Sequence, residues 1–145
     1  MKPVLLDTGI IIALLNWRES SHKAAASAVV EIGGPLITCE AVITESCYLL
    51  RNVAGAAQTV LENVARGLFQ IPFQLPREAP AVKWILRKYA DRRIDFADAC
   101  LIRLAEAFDT GDILTLDRDF ETYRWGRNKP FNLLIDLAIL RGHHN

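Results

Sequence analysis

One acidic residue lies on a helical stripe that is otherwise apolar. The positions three and four residues from Glu45 hold Ala41, Val42, Tyr48 and Leu49. A carboxylate centred on such a stripe faces the core or a cleft, and burying it unpaired is expensive. We therefore predict that Glu45 lies in a cleft, the alternative being a core ion pair with an arginine.

A second acidic position repeats this situation in a later helix. The helical neighbours of Asp98 are Ile94, Asp95, Leu101 and Ile102. Asp95 and Asp98 share one helical face and repel each other unless a cation lies between them. The alternative is structural, since an acidic helix N-cap and first turn also occur without any ligand.

Two further acids follow predicted strands. Asp7 comes after the apolar run 4–6, and Asp117 after the run 113–116. Ligand sites of open parallel sheets form at the carboxyl ends of the strands. The alternatives are an Asx turn at Asp7, before Thr8 and Gly9, and a simple helix cap at Asp117.

Together these acids predict one chemistry. If Asp7, Glu45, Asp98 and Asp117 converge at one sheet edge with Asp95 close by, their charges need compensation. Carboxylate oxygens of this kind suit Mg²⁺ or Mn²⁺. Such an ion polarises a phosphoryl oxygen and activates water, so we predict metal-assisted hydrolysis of a phosphodiester.

The elements that must position these acids alternate between strands and helices. This pattern favours one α/β domain over 1–145, with a parallel sheet covered on both faces. Pro72 indicates that the strand containing it is at a sheet edge. The predicted strands are 4–6, 36–38, 71–73, 113–116 and 133–135, and the predicted helices are 10–16, 23–31, 40–53, 57–69, 77–89, 95–108 and 120–123.

Composition excludes several other classes. The 145 residues are 51% hydrophobic, with 17 basic against 17 acidic residues, which excludes a disordered chain, a coiled coil and a strongly basic coat protein. Three cysteines without CxxC spacing favour neither a disulfide framework nor zinc. The longest apolar run, 10–15, is too short to span a bilayer, so we predict a soluble cytoplasmic protein.

Basic residues flank the acidic set. Without the five candidate acids, 12 acidic residues remain against 17 basic ones, so the rest of the domain is mildly basic. The candidates for RNA phosphate contacts are Arg92, Arg93, Arg118 and Arg124. Tyr123 and Trp125 could stack on unpaired bases. The alternative is a solvated charged face with the aromatic rings packed inward.

The order of the acidic motifs resembles a known family. Asp7-Thr8-Gly9, Glu45, the 95–99 segment DFADA and the 115–120 segment TLDRDF follow one another at separations of 38, 53 and 19 residues between the four acids. This arrangement resembles the PIN domain, in particular the small bacterial and archaeal PIN proteins typified by VapC toxins. The resemblance spans about residues 3–136.

The resemblance implies a three-layer α/β/α sandwich, dependence on Mg²⁺ or Mn²⁺, and endoribonuclease activity. Matched residue by residue, the metal-binding and catalytic quartet would be Asp7, Glu45, Asp98 and Asp117. Asp95 matches an extra acid of some members. Thr8 and Thr115 match polar residues that would hydrogen-bond the carboxylates.

The resemblance also implies partners: an RNA substrate, a cognate antitoxin and a second copy of the chain in a homodimer. We predict no membrane association, and disorder in the tail at about 137–145. The alternatives are a non-catalytic PIN-like module that binds RNA or protein, and a nuclease for RNA processing or for DNA without an antitoxin. A haloacid-dehalogenase-like phosphatase is excluded, because Gly9 stands where its second aspartate would be.

Overall fold

A computed structural model describes residues 2–138 of the chain. Seven strands occur in this part: β1 (Val4–Leu6), β2 (Leu36–Ile37), β3 (Phe69–Gln70), β4 (Asp112–Leu114), β5 (Arg124–Trp125), β6 (Lys129–Pro130) and β7 (Asn132–Leu133). Five of them form a parallel sheet in the order β3-β2-β1-β4-β7, while β5 and β6 form an antiparallel hairpin.

Six α-helices flank this sheet within residues 2–138. They are α1 (Thr8–Leu15), α2 (His22–Ile32), α3 (Glu40–Leu49), α4 (Ala56–Ala65), α5 (Leu75–Lys88) and α6 (Phe96–Phe108). Two short 3₁₀-helices, η1 (Ala90–Arg92) and η2 (Arg118–Glu121), follow α5 and β4. Among the helices, α1 packs against α2 and α3, and α5 packs against α6. The predicted three-layer α/β/α architecture is confirmed.

The central strands show that the sheet is apolar on both of its faces. Every residue of β1 is buried, and so are Ile113 and Leu114 of β4 beside it. A parallel strand with helices on both faces has no solvent side, so its residues are continuously apolar instead of alternating. The polar residues that follow these strands therefore emerge together at the carboxyl edge of the sheet.

Several predicted boundaries were wrong. The helix predicted over 57–69 stops at Ala65. Gly67, with φ +81°, takes the chain out of the helical conformation before Phe69 joins the sheet. The strand predicted at 71–73 lies at 69–70 instead. Pro72 has no N–H to donate to a sheet, and β3 is an edge strand, as its nearby proline indicated.

Other elements also differ from the prediction. The third helix ends at Leu49 and not near 53, and the β5–β6 hairpin was not predicted. β4 ends at Leu114, so Asp117 lies beyond the strand as the N-cap of η2. No helix among residues 2–138 is long and apolar enough to cross a membrane. Of the tail predicted to be disordered, Leu137 is buried and 139–145 lie outside the described residues.

Candidate active site

Three carboxylates meet at the carboxyl edge of the sheet. Asp7 follows β1, Asp98 lies in the first turn of α6, and Asp117 precedes η2; one oxygen atom of each lies within 4.8 Å of the others. The carboxylates of Asp7 and Asp98 are buried, and that of Asp117 is partly exposed. Parallel pairing of β1 with β4 places the residues that follow both strands on the same side.

Glu45 and Asp95 line the same cleft, which has a volume of about 300 Å³. Glu45 is half-buried, and the ion pairs within residues 2–138 include none of Glu45 with an arginine. Tyr48 and Leu49 are exposed, so the apolar stripe predicted around Glu45 is buried only on its Val42 side. Glu45 therefore lies at the rim of the cleft.

The Thr115 hydroxyl links the Asp7 carboxylate to the Asp117 backbone through two hydrogen bonds. Its Oγ1 donates to Asp7 Oδ2 at 2.6 Å and accepts the backbone N–H of Asp117 at 3.0 Å. The other carboxylate oxygen of Asp7, Oδ1, accepts the N–H of Thr8 at 2.8 Å, so Asp7 caps α1 instead of closing a turn. The predicted hydrogen bond from Thr115 to a carboxylate is present in the structure.

Asp95 combines the two roles that the sequence left open. Its Oδ1 accepts the N–H of Ala97 at 2.9 Å, which makes it the N-cap of α6. At the same time it lines the cleft that holds Asp98. Its position at the N-cap therefore does not separate it from the acidic cluster.

Burial and mutual repulsion raise the pKa values of the three clustered carboxyl groups. Burial raises the pKa of Asp7 from 3.8 to about 6, although its hydrogen bond from Thr115 opposes this effect. Burial, followed by the charges of Asp7 and Asp117, raises the pKa of Asp98 to about 8. The pKa of Asp117 is also raised, chiefly by burial. The site is thus short of positive charge when all three groups are ionised.

A buried hydroxyl in the same cleft lacks a partner. Thr8 Oγ1 is the one buried side-chain N or O atom within residues 2–138 that has no hydrogen-bond partner. The predicted hydrogen bond from Thr8 to a carboxylate exists, but the backbone N–H makes it and the hydroxyl does not. An unpaired buried hydroxyl costs free energy unless a bound group or water completes it. The donor set therefore fits a hydrated divalent cation.

One acid beside this site was missed by sequence reasoning. The negative charge of Asp119 raises the pKa of both Asp98 and Asp117. Its backbone N–H also donates to Asp117 Oδ1 at 2.9 Å. Its place two residues after Asp117 was the available signal. The cleft also has apolar walls, formed by Ile12, Leu49 and Leu116, and nothing in the sequence marks these residues as part of the site.

Three of the four predicted RNA-contacting arginines already have protein partners. Arg92 stacks over Tyr123, with its Cζ 4.6 Å from the ring centroid, and its Nη2 lies 3.7 Å from Asp119 Oδ1. Arg118 pairs with Glu121 at 3.3 Å. The Nη1 of Arg124 donates to the carbonyl oxygen of Tyr123 at 2.9 Å.

The fourth of these arginines, Arg93, is exposed. The sequence left base stacking and inward packing open for Tyr123 and Trp125, which are only 2% and 8% exposed and so are not available for stacking. The alternative reading, with both rings packed inward, is correct. They are buried because Tyr123 contacts the rings of Tyr89 and Phe120, and Trp125 Nε1 donates to the carbonyl oxygen of Pro130.

The fold and this site define an α/β protein with a carboxylate cluster at the edge of a parallel sheet. The PIN domain model matches residues 4–126, and the chain belongs to the PIN domain family. It is 31% identical over 117 residues to Ribonuclease VapC26 of Mycobacterium tuberculosis, covering 79% of this chain and 87% of that protein.

A solved structure has the same fold. The crystal structure of Mycobacterium tuberculosis VapC20, described as a Sarcin-Ricin loop cleaving toxin, superposes with a TM-score of 0.70 at 20% identity. The match covers 88% of this chain and 99% of that one. This likeness supports the three-layer architecture.

Proposed function

We propose that this protein is a metal-dependent endoribonuclease that hydrolyses phosphodiester bonds in RNA, and that it is the toxin of a toxin–antitoxin pair. The observation that carries the proposal is the triad of Asp7, Asp98 and Asp117, whose oxygen atoms lie within 4.8 Å of one another. Its similarity to Ribonuclease VapC26 supports the same activity. A cluster of this kind suits phosphoryl chemistry better than a purely structural role.

The residues present fit Mg²⁺ or Mn²⁺. Their donors are carboxylate oxygens only, and the unpaired Thr8 hydroxyl beside them could bond a water of the ion's hydration shell. Asp7, Asp98 and Asp117 would hold the ion, with Glu45 and Asp95 in the same cleft. When bound, such an ion polarises a phosphoryl oxygen and lowers the pKa of its water.

The chain's own residues then have distinct tasks. Thr115 holds the Asp7 carboxylate and the Asp117 backbone in a single orientation through its two hydrogen bonds. Glu45, half-buried at the rim and without an arginine partner in residues 2–138, would accept a proton from the attacking water. The exposed Arg92, Arg93 and Arg118 and the half-buried Arg124 would contact RNA phosphates beside the cleft.

The test is cleavage of structured RNA by the purified protein with Mg²⁺ or Mn²⁺. We expect Asp7→Asn and Asp98→Asn to abolish cleavage, because each removes an ionisable oxygen from the triad. Asp91→Asn is the matched control, an exposed aspartate in η1 outside the cleft. Cleavage that survives both triad substitutions would overturn the proposal.

Calorimetric titration with Mn²⁺ separates an enzyme from a binding module. A PIN domain that only binds RNA or protein need not take up metal at these carboxylates. We expect Mn²⁺ binding that is lost in Asp98→Asn and kept in Asp91→Asn. Absence of Mn²⁺ binding in the unaltered protein, together with intact RNA, would favour the module.

The proposed partners are an antitoxin and a second copy of the chain, and the proposed compartment is the cytoplasm. The toxin role predicts a short adjacent gene whose product has a DNA-binding N-terminal part. Co-expression of the two gene products should give a complex that is purified intact and does not cleave RNA. Sedimentation of the protein alone would establish whether it is a homodimer.

A further inference from the structure

One exposed aromatic side chain stands beside the cleft. Tyr48 on α3 is 62% exposed, three residues after Glu45. Residues three apart on a helix share a face, so Tyr48 lies on the same side of α3 as Glu45, which lines the cleft. The aromatic side chains that the sequence suggested for base stacking, Tyr123 and Trp125, are buried and cannot take this role.

The Tyr48 ring is held by an arginine. The Arg51 guanidinium stacks over it, with Cζ 4.1 Å from the ring centroid, and Arg51 Nη1 donates to the Tyr48 carbonyl oxygen at 2.8 Å. The hydrogen bond orders the long Arg51 side chain before any ligand arrives, which reduces the entropy lost on binding. The pair therefore forms a planar, positively charged surface on one side of the ring.

This surface is continuous with the acidic cleft. Leu49, the residue after Tyr48, is 52% exposed and lines the cleft together with Glu45 and Asp98. A polynucleotide with one phosphate at the carboxylates would pass over Leu49 toward the Tyr48 ring. The next exposed group it would meet carries a positive charge, on Arg51.

We propose that Tyr48 and Arg51 form a nucleobase subsite, in which an unpaired base of single-stranded RNA next to the cleaved bond stacks on Tyr48. This inference rests on the proposed function. The Tyr48 ring remains 62% exposed with the guanidinium over one face, an arrangement that suits base stacking with a nearby phosphate. The positive charge of Arg51 over the ring is complementary to an RNA phosphate, so the observations favour RNA over a second copy of the chain.

The chain contains a matched control pair. Trp17 is 74% exposed and Arg18 stacks over it, with Cζ 5.4 Å from the ring centroid. This pair follows the C-terminal end of α1, whereas the acidic cleft is at the N-terminal end of the same helix. The two ends are separated by the length of α1, about 12 Å. If RNA bases stacked on any exposed aromatic–arginine pair, the two pairs would bind RNA equally well. Our inference instead predicts that only the pair beside the cleft binds it.

The experiment measures binding of a short single-stranded RNA that contains 2-aminopurine, in the Asp98→Asn background so that the RNA stays intact. We expect Tyr48→Ala to weaken binding by about fivefold or more and to remove the quenching of 2-aminopurine fluorescence. Tyr48→Phe, which keeps the ring, should restore both, and Trp17→Ala should change neither. Sedimentation of each variant checks its folding and oligomeric state.

Three outcomes of the binding experiment would overturn the inference. They are equal effects of Tyr48→Ala and Trp17→Ala, loss of binding in Tyr48→Phe, and a change in oligomeric state in Tyr48→Ala, which would assign the face to a second copy. If the unaltered protein cleaves RNA and Tyr48→Ala cleaves with the same KM, the subsite is wrong and the proposed activity stands. If nothing is cleaved but quenching depends on Tyr48, the activity is wrong and the subsite stands.

Discussion

Replacing Asp98 by asparagine separates what this carboxylate costs the fold from what it contributes to metal binding. Asp98 is buried in the first turn of α6, and burial with the charges of Asp7 and Asp117 raises its pKa from 3.8 to about 8. Asparagine has nearly the same shape and carries no charge. We expect Asp98→Asn to stabilise the metal-free protein at alkaline pH.

The direction of this pH effect follows from which state, folded or unfolded, keeps the Asp98 proton. Below pH 4 both the folded and the unfolded states keep the Asp98 proton, so its contribution to stability is complete. As the pH rises from about 4 through about 8 the unfolded state releases this proton while the folded state still holds it, so that stability is lost progressively. The difference between the two pKa values corresponds to about 6 kcal/mol at full ionisation.

Relaxation of the cleft reduces this value. We therefore expect Asp98→Asn to gain about 3 kcal/mol at pH 8.5, which raises the melting temperature by about 8 °C. Near pH 4 the melting temperatures of the two proteins should nearly coincide. Mn²⁺ at a hundred times its dissociation constant should stabilise the unaltered protein by about 2.7 kcal/mol and the variant by much less.

Thermal unfolding followed by circular dichroism, at pH 4.5 and pH 8.5 with EDTA or Mn²⁺, measures all of these effects. Asp91→Asn serves as the control, and we expect its melting temperature to follow that of the unaltered protein in every buffer. The reasoning is refuted if Asp98→Asn melts below the unaltered protein at pH 8.5 in EDTA. Equal stabilisation of the two proteins by Mn²⁺ would refute the assignment of Asp98 to the metal.

Three further predictions concern other positions. Thr115→Val removes a hydrogen bond that lowers the pKa of Asp7, so this pKa should rise above about 6 and Mn²⁺ affinity in calorimetry should fall at pH 6 but little at pH 8.5. Gly111→Ala places a methyl group against the Trp125 indole and should destabilise the fold by about 1–3 kcal/mol in urea unfolding. Arg118→Gln should reduce the slope of log affinity for RNA against log salt by about 1, and an unchanged slope would remove Arg118 from the RNA interface.

The candidate site could be predicted well from the sequence because its residues violate local rules. Asp98 stands among apolar helical neighbours, and Asp7 and Asp117 follow buried strands. Carboxylates at such places are costly, so their presence in one chain indicates a shared task. The structure brings the three together, with Glu45 and Asp95 in the same cleft.

The surroundings of the site could not be predicted in the same way. Tyr48 and Leu49 follow the helical spacing of a buried face, yet both are exposed. Helical periodicity shows which residues share a face, but whether another element covers that face depends on distant parts of the chain. The same limit applies to Tyr123 and Trp125, which look available in the sequence and are buried in the structure.

By itself, then, the sequence determined the alternation of strands and helices, the buried central strand and the identity of the acids. These properties depend on the types and spacing of neighbouring residues, which a single sequence contains. Only the tertiary structure decided that Thr115 joins Asp7 to Asp117, that the Thr8 hydroxyl has no partner in the described residues, and which arginines are held by protein partners. Thr115 and Asp7, for example, are 108 positions apart, and the distance between their side chains is set by the pairing of β1 with β4.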